Sequence, residues 1–112
     1  YCSAFAGLVL FHLQHTYEDS YICVNDKEWN KYDSALKGCS HLKIPYIFKW
    51  FTMGIEYHHI HHLNSKVPGY LLKKCHDEAP KHFWQDVTYL NYKDIFKSLK
   101  LMLYDEINGI FI

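Results

Sequence analysis

The sequence predicts a mainly α-helical chain with a short β-hairpin at its end. Three observations predict it: an apolar run at residues 1–13, four histidines at helical spacing within residues 58–62, and Asn108-Gly109 between apolar residues. With 112 residues, the chain has the length of one small domain or of a piece of something larger. It is 49% hydrophobic and 21% charged, a composition that excludes a disordered tail. Twelve lysines, with no arginine, balance twelve carboxylates. A nucleic-acid binder needs a basic excess to meet phosphates, so no nucleic-acid partner is expected. The outlier is histidine, with nine residues.

Taken in order, Tyr1 to Leu13 is apolar on every side. As a helix it would reach about 20 Å at about 1.5 Å per residue. A bilayer core is about 30 Å thick, so the run is too short to span by itself. Length alone favours a buried core helix. The other reading is the last part of a transmembrane helix whose start lies outside this sequence. No lysine or arginine precedes the run, so it does not read as a secretory signal.

Asn25-Asp26 predicts a turn, and residues 28–38 a weak helix with Trp29, Tyr32, Ala35 and Leu36 on one face. Ile44 to Ile55 is apolar and aromatic around Lys49, as in a helix at a membrane interface, where aromatic rings and long cationic side chains sit well. An ordinary amphipathic core helix has the same pattern. Residues 64–69, Asn-Ser-Lys-Val-Pro-Gly, form a loop signal. A helix is expected from Tyr70 to Glu78, closed by Ala79-Pro80. Another is expected from Asp94 to Tyr104, with Ile95, Leu99 and Met102 as its stripe. Asn108-Gly109 closes the chain with the hairpin signal. Cys2, Cys23, Cys39 and Cys75 contain no C-x-x-C pair, so they are expected as reduced thiols.

His58-His59-Ile60-His61-His62 carries the chemistry. On a helix, residues i, i+3 and i+4 share a face, so His58, His61 and His62 point together while His59 turns aside. Converging neutral imidazoles suit iron, zinc, copper or nickel. Ile55, Tyr57, Ile60 and Leu63 embed the cluster in apolar sequence, unlike a solvated histidine tract. His12 and His15 form a second pair, followed by Glu18 and Asp19. His41, His76 and His82 stand in polar contexts and are expected at the surface. No glutamate follows His58, which excludes the H-E-x-x-H zinc hydrolases. Only one Glu-x-x-His pair occurs, Glu56 with His59, whereas carboxylate-bridged di-iron bundles use two, so that class is not supported.

The stretch Tyr57 to Tyr70, HHIHH followed by LNSKVPGY, resembles the third histidine box of membrane fatty acid desaturases of the acyl-lipid omega-6 (delta-12) type. Phe11 to Tyr21 resembles the Val-Gln-His-Gln-Phe-Glu-Asp-Thr-Tyr stretch of the same family, and residues 74–78 and 98–106 match its C-terminal region. The resemblance implies the C-terminal part of a helical integral membrane desaturase. Residues 1–15 would end a truncated transmembrane helix. Residues 16–112 would form a cap of interfacial and cytosolic helices with the short hairpin. It also implies two non-haem iron ions near the cytosolic membrane face, dioxygen as co-substrate, and a cis double bond placed in a lipid acyl chain. Electrons would come from ferredoxin, or from a b-type cytochrome through a reductase. By resemblance His15, His58, His61 and His62 are metal ligands, and His12, Glu18, Asp19 and His59 are candidates to support them from behind.

The chain departs from the family pattern at two places. The first and second histidine boxes are absent from it, leaving too few ligands for two irons, so the isolated chain is expected to be inactive without the N-terminal part of the enzyme. Before the third box it has Gly54-Ile55-Glu56-Tyr57, where Asn-Ile-Gly-Tyr is usual. A sterol or carotenoid hydroxylase, or a non-catalytic histidine-rich metal binder, are the competing readings. The Leu63–Tyr70 signature and the tail speak against the hydroxylase.

Overall fold

The computed structural model describes residues 1–23 and 25–112. The first helix, α1 (Cys2–His15), is the longest element, and among the described residues no helix is long and apolar enough to cross a membrane. Its first two turns pack on nothing: Phe5 and Leu8 are each 69% exposed, and burial begins at Leu13 and Gln14. The core-helix alternative therefore fails for the first half of α1, because only the part from Val9 and Leu10 onward packs against the rest of the chain.

Asn25 and residues 26–28 form one tight turn, closed by the Glu28 N–H on the Asn25 carbonyl at 2.9 Å. The weak helix expected over 28–38 is shorter, α2 (Lys31–Lys37). It starts where the Asn30 side chain accepts the Tyr32 N–H at 2.8 Å, satisfying a donor that the first turn leaves open. The strand β1 (Ser40–Leu42) follows, then α3 (Tyr46–Thr52), which buries no residue. Met53 ends α3 in the left-handed region, Gly54 continues it at φ 86°, and a tight turn (Ile55–Tyr57) feeds α4 (His58–Leu63). The 64–68 loop leads to α5 (Gly69–Glu78), as expected.

After a short turn at Lys81–Trp84, β2 (Thr88–Leu90) pairs with β1 in parallel, Ser40 against Thr88 and Leu42 against Leu90. Strands of three residues, far apart in sequence, carry no periodicity that could announce this pairing. The last helix, α6 (Tyr92–Ser98), opens with a reciprocal cap between Asn91 and Asp94. The expected continuation to Tyr104 does not occur. Residues 102 and 103 instead give their N–H groups to the Ile112 carbonyl at 2.8 and 3.0 Å, so their backbone is spent on the chain end. That pairing extends the expected hairpin, β3 (Tyr104–Asp105) against β4 (Ile110–Phe111), with Gly109 at φ 67° in its turn.

Two apolar clusters hold the fold. Leu13, Tyr17, Leu42 and Leu90 join the end of α1 to the parallel strands. Tyr57, Ile60 and Leu72 join α4 to α5, with Val67, Cys75 and Trp84 against them. The histidine helix lies between these clusters and is fixed from both sides.

Candidate metal centre

The end of α1 is anchored at three points. The Ser40 hydroxyl donates to the Leu13 carbonyl at 3.1 Å, and the Gln14 amide donates to the Ile55 carbonyl at 2.6 Å. The Ser20 hydroxyl donates to the His15 carbonyl at 3.0 Å. The second of these ties α1 directly to the turn before α4, and it carries His15 to the histidine helix.

There the spacing argument holds. Within α4, His58 and His62 bring their Nε2 atoms to 3.1 Å, and His61 stacks on His58 with ring centres 5.5 Å apart. His15 arrives from α1 and places its own Nε2 3.1 Å from that of His58. An open cleft of ≈ 580 Å³ is lined by these four imidazoles with Phe11 and Ser65. His59 turns aside, as expected.

The protons on these rings can be assigned in part. His15 Nδ1 lies 3.3 Å from the Gly38 carbonyl, which only accepts, so Nδ1 carries the proton and Nε2 presents a bare lone pair to His58. A backbone carbonyl on the far nitrogen is the arrangement that orients metal-ligating histidines. His58 Nε2 faces both His15 and His62 at 3.1 Å. One ring nitrogen has one proton or one lone pair, so it cannot make a linear hydrogen bond to both. Burial, then the neighbouring His62, His15 and His61, push His58 down to about 3, and burial lowers His62 in the same way. These rings are therefore neutral at ordinary pH, with lone pairs for a cation. A cation at their focus removes the conflict that hydrogen bonding leaves, and the donor set fits iron or zinc.

The other expected residues are placed as follows. His12 leaves the cluster and its Nε2–H donates to the Ser98 carbonyl at 3.0 Å, bracing α6. Glu18 pairs with Lys97, and both Glu18 and Asp19 line a separate cavity of ≈ 200 Å³. Gly38, a backbone group, takes the place behind His15 that a carboxylate was expected to fill.

Two of the three histidines expected at the surface are not there. His59 is fully buried, with its Nε2 3.1 Å from Nδ1 of His76. The His76 ring stacks on Trp84 at 5.0 Å and on His41 at 5.6 Å, and the Trp84 N–H donates to the His76 carbonyl at 3.0 Å. The parallel pairing sets His41 beside Tyr89, and burial pushes it down to about 4. Their polar sequence neighbours gave no sign of this, because the contacts are made across the fold. Only His82 is exposed as expected. Cys39 was also not singled out by sequence. It is buried, and one donor atom from each of His15, Cys39, His58 and His62 lies within 4.8 Å of the others.

Comparison with known proteins agrees with this geometry. The profile of the family described as fatty acid desaturase matches residues 1–93. This chain belongs to the fatty acid desaturase family. The desaturase-family match reaches from α1 through the histidine helix into α6. A protein named fatty acid desaturase from Bacillus subtilis (strain 168) is 39% identical over 106 residues, which is 95% of this chain and 29% of that protein. The chain thus spans less than a third of its desaturase relative. No solved structure matches it significantly. Family membership makes the chain part of an oxidoreductase lineage and agrees with a metal-capable histidine group.

Proposed function

We propose that this chain forms the third-histidine-box end of an acyl-lipid desaturase, and that His15, His58, His61 and His62 contribute to its metal centre. The observation that carries the reading is the meeting of three neutral Nε2 atoms, from two helices, at 3.1 Å spacings. Iron held there would supply the activation of dioxygen needed to take two hydrogens from an unactivated acyl chain. The work of this chain is to hold the imidazoles in place and neutral. The Gly38 carbonyl fixes the His15 tautomer, and the Gln14 anchor sets the distance between the helices. The remaining ligands for two irons would come from the first and second boxes of the whole enzyme.

The membrane assignment belongs to the same proposal. The exposed Phe5, Leu8 and Phe11 of α1, and Tyr46, Ile47, Trp50 and Phe51 of α3, support lipid as their covering. In this reading α1 is the end of a spanning helix, α3 lies at the interface, and the histidine box faces the cytosol. The partners are lipid acyl chains and an electron donor, ferredoxin or a b-type cytochrome with its reductase.

The test is co-expression of this chain with an upstream desaturase segment carrying H-D-x-x-H and H-x-x-H-H boxes. The assembled protein is expected to hold two irons and to desaturate membrane acyl chains, and His58→Ala in this chain is expected to abolish both. Stoichiometric zinc with no iron in the assembly would favour a binding module. Robust desaturation by the chain alone would overturn the incompleteness of its ligand set.

A further inference from the structure

We infer that His76 is a positioning residue for the metal centre, acting through His59. Its Nδ1 sets the rotation of α4 about its own axis, and with it the aim of His58, His61 and His62 toward His15. The inference rests on the reading above, since it takes those four imidazoles as the ligands. It adds a residue outside the histidine box, on a different helix.

The need for such a residue comes from the length of α4. Its six residues make less than two turns, too few to be held by their own backbone hydrogen bonds. Tyr57 and Ile60 pack against Leu72, which draws α4 onto α5. Apolar contact is non-directional, so it fixes how deep the helix lies more than how it is turned. Successive residues point about 100° apart around a helix. His59 therefore leaves α4 to one side of the ligand trio, and a directional bond on its ring stops the helix from turning. Fully buried His59 has that bond: its Nε2 lies 3.1 Å from His76 Nδ1.

The direction of the bond follows from the other nitrogen of the ring. Among the described residues no group meets the buried His59 Nδ1. A buried N–H is seldom left without an acceptor, so the single proton of the neutral ring sits on Nε2 and is donated to His76. His76 in turn is braced. The Trp84 N–H donates to its carbonyl at 3.0 Å, and the Trp84 and His41 rings stack on its imidazole at 13° and 27°. The acceptor thus stands in a fixed place, held by α5, the turn at Lys81–Trp84 and β1.

What depends on it is the Nε2 contact that crosses between helices. His58 and His62 both belong to α4, so their 3.1 Å spacing survives a turn of that helix. The 3.1 Å spacing from His15 to His58 joins α1 to α4 and does not survive it. The Gln14 anchor sets how far apart the helices stand, and His76 sets how α4 is turned.

Two variants separate the acceptor from the ring. His76→Asn keeps an acceptor oxygen in the place of Nδ1 and loses the stacking on Trp84. His76→Phe keeps a stacked ring and has no acceptor. The first measurement is nuclear magnetic resonance on the metal-free chain, labelled with nitrogen-15 in its histidines. The wild-type chain is expected to show the His59 proton on Nε2, a readout that needs no variant. It is also expected to show a nuclear Overhauser contact between the His15 and His58 rings, whose centres lie 4.9 Å apart. His76→Asn is expected to keep both, and His76→Phe to lose the His15–His58 contact. The second measurement is titration with cobalt(II) alone, read from its visible bands. His76→Phe is expected to bind at least about tenfold more weakly and with altered bands, the usual cost of losing an outer partner of a ligand, while His76→Asn matches the wild type. A wild-type His59 protonated on Nδ1, or a His76→Phe chain that keeps the His15–His58 contact, overturns the positioning role. So does a His76→Asn chain that fails as His76→Phe does, because ring packing is then what matters. If no form takes up cobalt while the resonance contrast holds, the metal reading fails and the positioning of α4 stands.

Discussion

The behaviour of single histidines depends on which ring meets which partner, not on where the residue stands in the sequence. His76 and His82 have similar polar neighbours, yet His76 Nδ1 holds the fully buried His59 and His82 is exposed. His76→Ala strands His59 Nε2 in a dry site and removes the ring stacked on Trp84. It is expected to cost about 1–3 kcal/mol, since an unsatisfied buried polar group loses its full desolvation energy. His82→Ala is expected to stay within about 0.5 kcal/mol. Urea unfolding of the two variants measures the contrast, and equal midpoints would remove the buried role of His76. In the site itself, the i, i+3, i+4 face was legible from sequence for His58, His61 and His62. The positions of Gly38, Cys39 and His41 beside these rings were not, because each depends on a neighbour brought in by the fold.

Among the elements, α4 is short and owes its position to what flanks it. Gly54 sits at φ 86°, and a Cβ there would lie 2.3 Å from the Gly69 carbonyl oxygen, at the start of α5. The close approach fixes the turn that delivers Glu56, Tyr57 and the histidines into the core. Gly54→Ala therefore meets both a left-handed backbone and a backbone clash. The first alone costs about 1–2 kcal/mol. The variant is expected to lower the unfolding midpoint by more than that and to weaken metal uptake, because the turn must move. Unchanged midpoint and uptake would show that the turn does not position α4. The elements with local signals were readable: α5 with its preceding loop, and the hairpin around Gly109. The α6 boundary was not, because the Ile112 carbonyl competes for the backbone of residues 102 and 103.

At the scale of the whole molecule, the histidines make stability depend on acidity. His58 and His59 are pushed down to about 3, and His41 to about 4, in each case mainly by burial. Unfolded histidine titrates near 6.5, so below about that pH the unfolded chain binds protons that the folded chain refuses. Stability is then complete above about pH 6.5 and falls as pH drops toward about 4. Urea midpoints of the metal-free chain at about pH 7.5 and about pH 5 test this, and a flat profile would contradict neutral burial of these rings. By itself, the sequence determined the family and the facing trio of α4, because helical periodicity and a contiguous motif are local properties. It left open whether the apolar runs at residues 1–13 and 44–55 are buried, and the structure leaves Phe5, Leu8, Trp50 and Phe51 exposed. Only the tertiary structure decided that His15 meets His58, that Cys39 stands beside them, and that His41, His59 and His76 close the other side. Those contacts join residues distant along the chain, through the parallel β1–β2 pairing and the two apolar clusters, and no local pattern encodes them.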